Sequence, residues 1–376
     1  MKPIRHILMT ADTLGGVFSH AIELSGALAR RGVRVTLATM GGLLSQPQRR
    51  AAAGVPGLSI FESTYRLEWM DDAWEDVHRA GAWLLTLEKR LRPDIVHLAS
   101  YAHGALPFRA PKIVVAHSSV LAWFEAVRGE AAPARYERYR REAARGVAAA
   151  NAVVAPTQAA LDEAALHHGP IARGAVIPNG REGRRYRPLL PKDEMIVSLG
   201  RLWDKAKNIA ALSAVAPNLP WPVCVAGNLH HPEDGARPLP SLHHKGVLSP
   251  RDVMALLGRA AIYAHPARYE PFGLSVLEAA LSGCALVLGD LKSLREVWGD
   301  TAALYVSPDD PGELEEALLS LVRSPLARAE MGLRARDHAL HYTPERMAQG
   351  YLDLYAELLA HPAPRPIEVA LEEPCA

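Results

Sequence analysis

Short apolar runs recur along this chain and stop at glycine, proline or polar residues. His6–Met9, Val33–Ala38, Asp94–Leu98, Ile113–Ala116 and Ala152–Ala155 form one set; Met195–Leu199, Val223–Ala226, Ala261–Ala264, Ala285–Leu288 and Ala303–Val306 form another. Runs without polar alternation fit strands buried on both faces, as in parallel sheets. Between them lie stretches with helical spacing, among them Phe18–Arg30, Trp74–Arg90, Ala134–Ala149, Leu274–Leu281 and Gly312–Arg323. Thr157 and Ser249 stand where they would cap helices over Gln158–Leu166 and Pro250–Leu257. Gln46–Gly57 reads as loop. Strands alternating with helices imply parallel sheets with crossover helices.

Two strand–turn–helix units of similar style stand far apart, one opening at Gly15-Gly16 and one at Gly200-Arg201. The pattern therefore predicts an α/β fold with two Rossmann-like, doubly wound domains. The first covers residues 1–187 and the second 188–343, joined by the Pro- and Arg-rich stretch around Arg184–Pro191. Leu333–Tyr342 and Pro344–Leu359 read as closing helices, and the proline-rich, acidic residues 362–376 as a mobile tail.

Composition narrows the function classes. Formal net charge is +1 over 376 residues, so bulk electrostatics gives no case for a nucleic-acid partner. No apolar run is long enough to span a bilayer. The amino terminus is basic and then apolar, but a glycine turn cuts it short, so it reads as a first strand rather than a signal peptide. Cys224, Cys284 and Cys375 are few and unpatterned, and two fall in or beside core strands, which fits a reducing compartment. The expected location is cytoplasmic. Arg135, Arg138, Arg140, Arg141 and Arg145 on one helix leave open a weak peripheral contact with the inner membrane face or with an anionic acceptor. A solvated, ion-paired face is the plainer reading. Oligomeric state is not fixed by the sequence.

The richest chemistry lies in 261–288. Glu270 sits in a polar loop and Glu278 in an otherwise apolar helix, eight positions on. A buried carboxylate needs a partner or a ligand, since its desolvation costs several kcal/mol. Carboxylates so spaced suit the hydroxyls of a sugar or ribose better than joint acid–base work. Phe272-Gly273-Leu274 begins the helix and offers backbone N–H groups to an anion. Arg201 ends a strand and Lys207 precedes the next helix, a cation pair suited to a diphosphate. Gly15-Gly16 allows close backbone approach to a ligand, and His117 ends a strand where ligands gather in open parallel sheets. His97 and His103 read mostly as structural. His230, His231 and His243 have no metal-box spacing.

Glu270-Pro271-Phe272-Gly273-Leu274, Glu278-Ala279 and Gly283 together resemble the E-x7-E signature of retaining family 4 glycosyltransferases of the GT-B fold. GGVFSHAIELSGALARRGVRVTLAT resembles that family's amino-terminal segment, and Gly200-Arg201-Leu202 with Lys207 its G-R-L…K motif. The resemblance implies a last helix that crosses back to the first domain. It implies a nucleotide-sugar donor gripped by Gly15, Gly16, Arg201, Lys207, Glu270, Pro271, Phe272, Gly273, Leu274 and Glu278. Glu270 would hold the donor sugar, Glu278 the ribose, and Arg201 and Lys207 the pyrophosphate, with His117 beside the sugar. No metal and no cofactor is expected, because the two cations supply the charge. The acceptor would be the hydroxyl of a glycan, lipid or small molecule. A sugar-nucleotide epimerase on the same fold, or a binding protein without turnover, are the alternatives. Three departures stand out: Arg181-Glu182 replaces the usual hydrophobic–Asp pair after Asn179-Gly180, Ala267 replaces a hydroxyl residue, and Cys284 replaces a proline.

Overall fold

The computed structural model describes residues 3–231, 235–236 and 239–361. Two parallel sheets carry the fold. The first contains β1 (His6–Asp12), β2 (Arg34–Met40), β3 (Leu58–Glu62), β4 (Ile95–Leu98), β5 (Lys112–Val115), β6 (Ala152–Ala155) and β7 (Gly174–Val176), in the order β3-β2-β1-β4-β5-β6-β7. The second is built from β8 (Asp193–Leu199) and β9 (Val223–Ala226). A small antiparallel pair follows, β10 (His230–His231) with β11 (Gly235–Ala236), and stands apart from both sheets. The second sheet resumes with β12 (His243–His244), β13 (Ala260–His265), β14 (Ala285–Gly289) and β15 (Leu304–Val306), in the order β12-β9-β8-β13-β14-β15. The expected α/β architecture of two Rossmann-like sheets is what the chain adopts.

Each sheet reverses its winding once: between β1 and β4 in the first, and between β8 and β13 in the second. Ligands of open α/β sheets gather outside the carboxyl ends of strands at such switch points. The segments after β1, β8 and β13 are 13–15, 200–208 and 266–273, which carry most of the residues singled out from sequence.

Helices cover both sheets. The helix Gly16–Ala29 buries Phe18, Ala21, Leu24 and Leu28 against Ile7, Met9 and Leu37. The last helix, Pro344–Ala360, adds Met347, Tyr351, Leu354, Tyr355 and Leu358 to that same core. The crossing back is therefore real. Pro344 does not kink this helix; it occupies the first turn, with Thr343 as cap, where the missing N–H costs nothing. Helices on the second sheet bury Val276, Leu277, Leu281 and Trp298 on one face and Leu212, Leu314 and Leu318 on the other.

Gln46–Ala53 corrects the loop expectation. It is a helix closed by a capping box, in which Ser45 accepts from the Gln48 N–H and the Gln48 side chain accepts from the Ser45 N–H. Its polar surface hid it, because only Ala52 is buried. The helix expected over Leu333–Tyr342 likewise begins earlier and stops sooner, at Pro325–Ala339. The Arg-rich stretch begins with a short 3-10 turn, and its helix proper is Glu137–Ala149. There Arg145 pairs with Glu142 at 2.9 Å and Arg140 with Glu137 at 3.4 Å, while Arg138 lies over the Trp74 ring. Such pairing is that of a solvated face.

Cys224 and Cys284 are free and buried. Cys375 and the 362–376 tail lie outside the described residues, as do parts of the loop around His231. Among the described residues no helix is long and apolar enough to cross a membrane, and no group of His, Cys, Asp or Glu is arranged to hold a metal ion.

Candidate active site

Glu270 follows β13 in a loop that returns to the helix Leu274–Leu281. Its carboxylate meets Lys207 Nζ at 2.6 Å and His265 Nε2 at 3.1 Å through Oε2, and accepts from the Gly273 N–H at 2.9 Å through Oε1. Ser293 Oγ donates to the Glu270 carbonyl at 2.6 Å, which pins the loop. Burial alone would raise the Glu270 carboxyl. Lys207 and His265 outweigh it and hold the group well below the usual carboxylate range. His265 is wholly buried at the end of β13; burial pushes it down, against the pull of Glu270.

The Gly273 N–H was expected to be open to an anion. It is taken, because the Glu270 carboxylate three residues earlier curls back onto it. Gly273 adopts φ +88°, which an L side chain resists, and this lets the loop turn directly into the helix. The Phe272 side chain is buried in the core against Tyr342, so only its backbone is placed to meet a ligand. The Pro271 carbonyl accepts from Thr157 Oγ1 at 3.0 Å, a bond from the first-sheet unit. Leu274 reaches the first unit too: a Cβ added at Gly16 would lie 3.3 Å from Leu274 Cδ1.

Arg201 and Lys207 flank a short turn after β8. Arg201 Nη2 bonds Asp204 Oδ2 at 2.8 Å, and Asp204 Oδ1 accepts from the Ala206 N–H and from Trp123 Nε1 of the first unit, at 2.9 and 3.0 Å. Asn208 takes φ +53° and donates to the Pro266 and Pro308 carbonyls at 3.0 and 2.8 Å, which fixes Lys207 under the Glu270 loop. Gly15 faces this turn: at φ +78°, its added Cβ would lie 3.6 Å from Arg201 Nη1. Asp12, at the end of β1, lies in the field of Arg201. Burial and the neighbouring Glu68 push its carboxyl up to about 7, against Arg201 and a bond from Trp69.

Glu278 belongs to a different cluster. Its Oε1 meets Arg181 Nε at 2.8 Å, so the residue noted as a departure supplies the counter-charge. His117 stands at the end of the β5 segment, its ring 4.9 Å from that of His20. Burial lowers it to about 4, so it is neutral at pH 7. Among the described residues no hydrogen bond joins His117 to Glu270, Arg201 or Lys207. His97 and His103 are structural as expected, bonded to Tyr355 Oη and to the Val77 carbonyl.

The structure thus gathers Gly15, Arg201, Lys207, Glu270 and Gly273 around the β8/β13 switch point and puts Glu278 with Arg181 beside it. Sequence reasoning did not single out His265, Asp204, Asp12 or His20. His265 and Asp12 had one available signal, their position at the carboxyl end of a strand next to a switch point.

Two family models divide the chain between them. Glycosyltransferase Family 4 matches residues 14–182, and Glycosyl transferases group 1 matches residues 182–338. The chain belongs to these glycosyltransferases. Among curated relatives, a glycogen synthase of Mycobacterium tuberculosis is 27% identical over 362 residues, covering 86% of each chain. A D-inositol 3-phosphate glycosyltransferase of Nocardia farcinica is 26% identical, over 92% of this chain and 85% of the relative. The fold is that of solved GT-B enzymes. Sucrose-phosphate synthase of Thermosynechococcus elongatus superposes with TM-score 0.78 at 18% identity, over 95% of this chain and 99% of that one. Anabaena HepE, solved with UDP-glucose, gives 0.73 at 15% identity, over 94% and 99%. This glycosyltransferase therefore carries its E-x7-E pair on a GT-B frame.

Proposed function

We propose that this glycosyltransferase moves a sugar from a nucleoside diphosphate donor to an acceptor hydroxyl with retention at the anomeric carbon. The observation that carries the reading is the buried Lys207–Glu270 pair with Arg201 beside it at the second-sheet switch point. Lys207 has three N–H donors and gives one to Glu270, which leaves donors for a phosphate oxygen. Glu270 keeps acceptor capacity for sugar hydroxyls, and Glu278 for the ribose diol. Among the described residues we read no side chain of this site as a nucleophile. The reading is therefore same-face displacement: the bond from the anomeric carbon to the phosphate oxygen breaks, the bond to the acceptor oxygen forms, and the acceptor proton passes to the leaving diphosphate. Arg201 and Lys207 stabilise the charge that develops on that diphosphate, and the step needs no divalent ion. Neutral His117 is available as a hydrogen-bond donor or acceptor toward the sugar.

The test separates the carboxylates. A thermal-shift panel of UDP-, ADP- and GDP-sugars selects the donor, and calorimetry with the matching bare nucleoside diphosphate follows. Glu270→Gln should cost bare-nucleotide affinity less than Glu278→Gln does while turnover falls, because Glu270 meets the nucleotide only through its partner Lys207. Glu278→Gln should weaken bare nucleotide and donor alike by about 1.5–3 kcal/mol, the worth of one charged hydrogen bond. Equal losses of bare-nucleotide affinity in the two variants would show that these roles are wrongly divided.

A further inference from the structure

Arg181 is a buried guanidinium on which three parts of the chain converge. Its backbone is fixed first. The Arg181 N–H donates to the Tyr342 carbonyl at 3.0 Å, and a Cβ added to the preceding Gly180 would lie 2.3 Å from the Thr343 oxygen. The side chain, 7% exposed, then reaches Glu278 Oε1 through Nε at 2.8 Å, the Ser19 carbonyl through Nη1 at 3.4 Å, and Glu23 Oε2 at 3.8 Å. Ser19 and Glu23 stand on the helix Gly16–Ala29, Glu278 on the helix Leu274–Leu281. The Tyr186 hydroxyl lies against the same Glu278 charge, and with burial that charge pushes it up, so it stays a donor.

Two carboxylates share this cation. The side chains of Glu23 and Glu278 are 12% and 16% exposed, and each would be costly to bury alone. A guanidinium is a rigid planar fork, so the partner that it bonds through Nε has its orientation set as well as its charge answered. A carboxylate offers about four acceptor positions. Arg181 takes one, at 2.8 Å, which leaves acceptor positions for the two hydroxyls of a vicinal diol.

We propose that Arg181 is a positioning residue that fixes the Glu278 carboxylate for the 2′- and 3′-hydroxyls of the donor nucleotide, and so sets the preference for a ribonucleotide. The proposal rests on the reading in which Glu278 holds the ribose. It goes beyond that reading by assigning the discrimination to a residue that touches no ligand.

The experiment is calorimetry with UDP, ADP and GDP and their 2′,3′-dideoxy forms on the wild-type chain, Arg181→Met, Arg181→Lys and Glu278→Gln, with thermal melts to confirm folding. The wild type should bind one ribonucleotide at least tenfold more tightly than its dideoxy form. Arg181→Met should bind the dideoxy form within about threefold of wild type and lose the discrimination to below threefold, as Glu278→Gln does. Arg181→Lys keeps the charge without the fork and should discriminate at an intermediate level. If Arg181→Met does not fold, Arg181→Lys decides: a full wild-type ratio there overturns the proposal. So does a wild-type ratio in Arg181→Met, or an equal loss for both nucleotide forms. If Glu278→Gln abolishes the ratio while Arg181→Met keeps it, the proposal alone fails. If the wild type does not discriminate, or binds none of the nucleotides, the ribose role of Glu278 fails and takes the proposal with it.

Discussion

Lys207→Met tests how the site holds its own charge. The substitution keeps most of the aliphatic stem and removes the ammonium 2.6 Å from Glu270 Oε2. Both side chains are well shielded, at 16% and 12% exposure, so solvent screening replaces little of what is lost. Removing one partner of a buried pair costs roughly 3–5 kcal/mol, because the other charge is stranded. Glu270 would still have His265 and the Gly273 N–H, so a loss at or just below the bottom of that range, about 2–3 kcal/mol, is expected. For a domain of this size 1 kcal/mol moves Tm by about 2–4 °C, so the melt should fall by about 4–12 °C at pH 7. Glu270→Gln in the same chain removes the stranded charge and should recover at least half of the loss. Scanning calorimetry on the four proteins of this cycle gives the coupling directly. The pH dependence has a fixed sign. The folded Glu270 carboxyl lies below its ordinary value of 4.5, so its contribution is present above that value and disappears as pH falls through the folded value. The gap between wild type and Lys207→Met should accordingly narrow on acidification. A Lys207→Met melt within 1 °C of wild type, or strictly additive effects in the cycle, would refute the reasoning.

Arg201 is 41% exposed and its partner Asp204 keeps bonds from the Ala206 N–H and Trp123 Nε1, so Arg201→Ala should change stability by about 1 kcal/mol or less. Its affinity for a nucleoside diphosphate should nevertheless drop about tenfold or more, at roughly 1.5–3 kcal/mol per charged bond, and calorimetry showing no change would remove Arg201 from the phosphate seat. The buried histidines predict acid sensitivity. Burial, with Coulomb repulsion from His117 in the case of His97, holds His117 at about 4 and His97 at about 3, and burial with His117, His97 and Arg181 holds His20 well below its ordinary value. All are neutral when folded and charged when unfolded below about 6.5, so stability is complete above 6.5 and is lost as pH falls toward 4 and 3. The His20 ring packs against the rings of His97, His117 and Tyr351, so His20→Phe should fold and lose less Tm between pH 7 and 5 than wild type does; identical slopes would refute this.

The two sheets were legible because strands buried on both faces read as unbroken apolar runs, and nearly all of β1, β8, β13 and β14 is buried. The helix Gln46–Ala53 and the strand Leu58–Glu62 were not, since both lie at the edge of the first sheet and bury little. At the site, residue types announced the chemistry but not the pairing. Lys207 and Glu270 are 63 positions apart, and Arg181 and Glu278 are 97 apart. Only the return of the chain through β13 and through the crossing at Tyr342 brings them together. The Gly273 error has the same origin. A helix start does present N–H groups, but whether they are open depends on where a neighbouring carboxylate folds.

The two glutamates of the signature are held by different parts of the molecule, and this bears on how a ligand acts on it. Every group that fixes Glu270 comes from 207–293, within the second-sheet unit. Glu278 is fixed through Arg181 to Ser19 and Glu23 of the first unit. The Glu270 carboxylate is therefore held by partners of one unit, whereas the orientation of Glu278 depends on how the two units sit. The other bridges lead to the same loops: Trp123 to Asp204, Thr157 to Pro271, and the Ser119 N–H to Tyr269 Oη, each at 3.0 Å. A ligand shifts an arrangement only by binding it better than its competitors. Under the assignment of Glu278 to the ribose, the nucleoside is the part of the donor that meets the Arg181 link between the units. Domain closure should then follow nucleotide occupancy, with or without a sugar attached, because Arg181 links the nucleoside grip to the first helix of the chain.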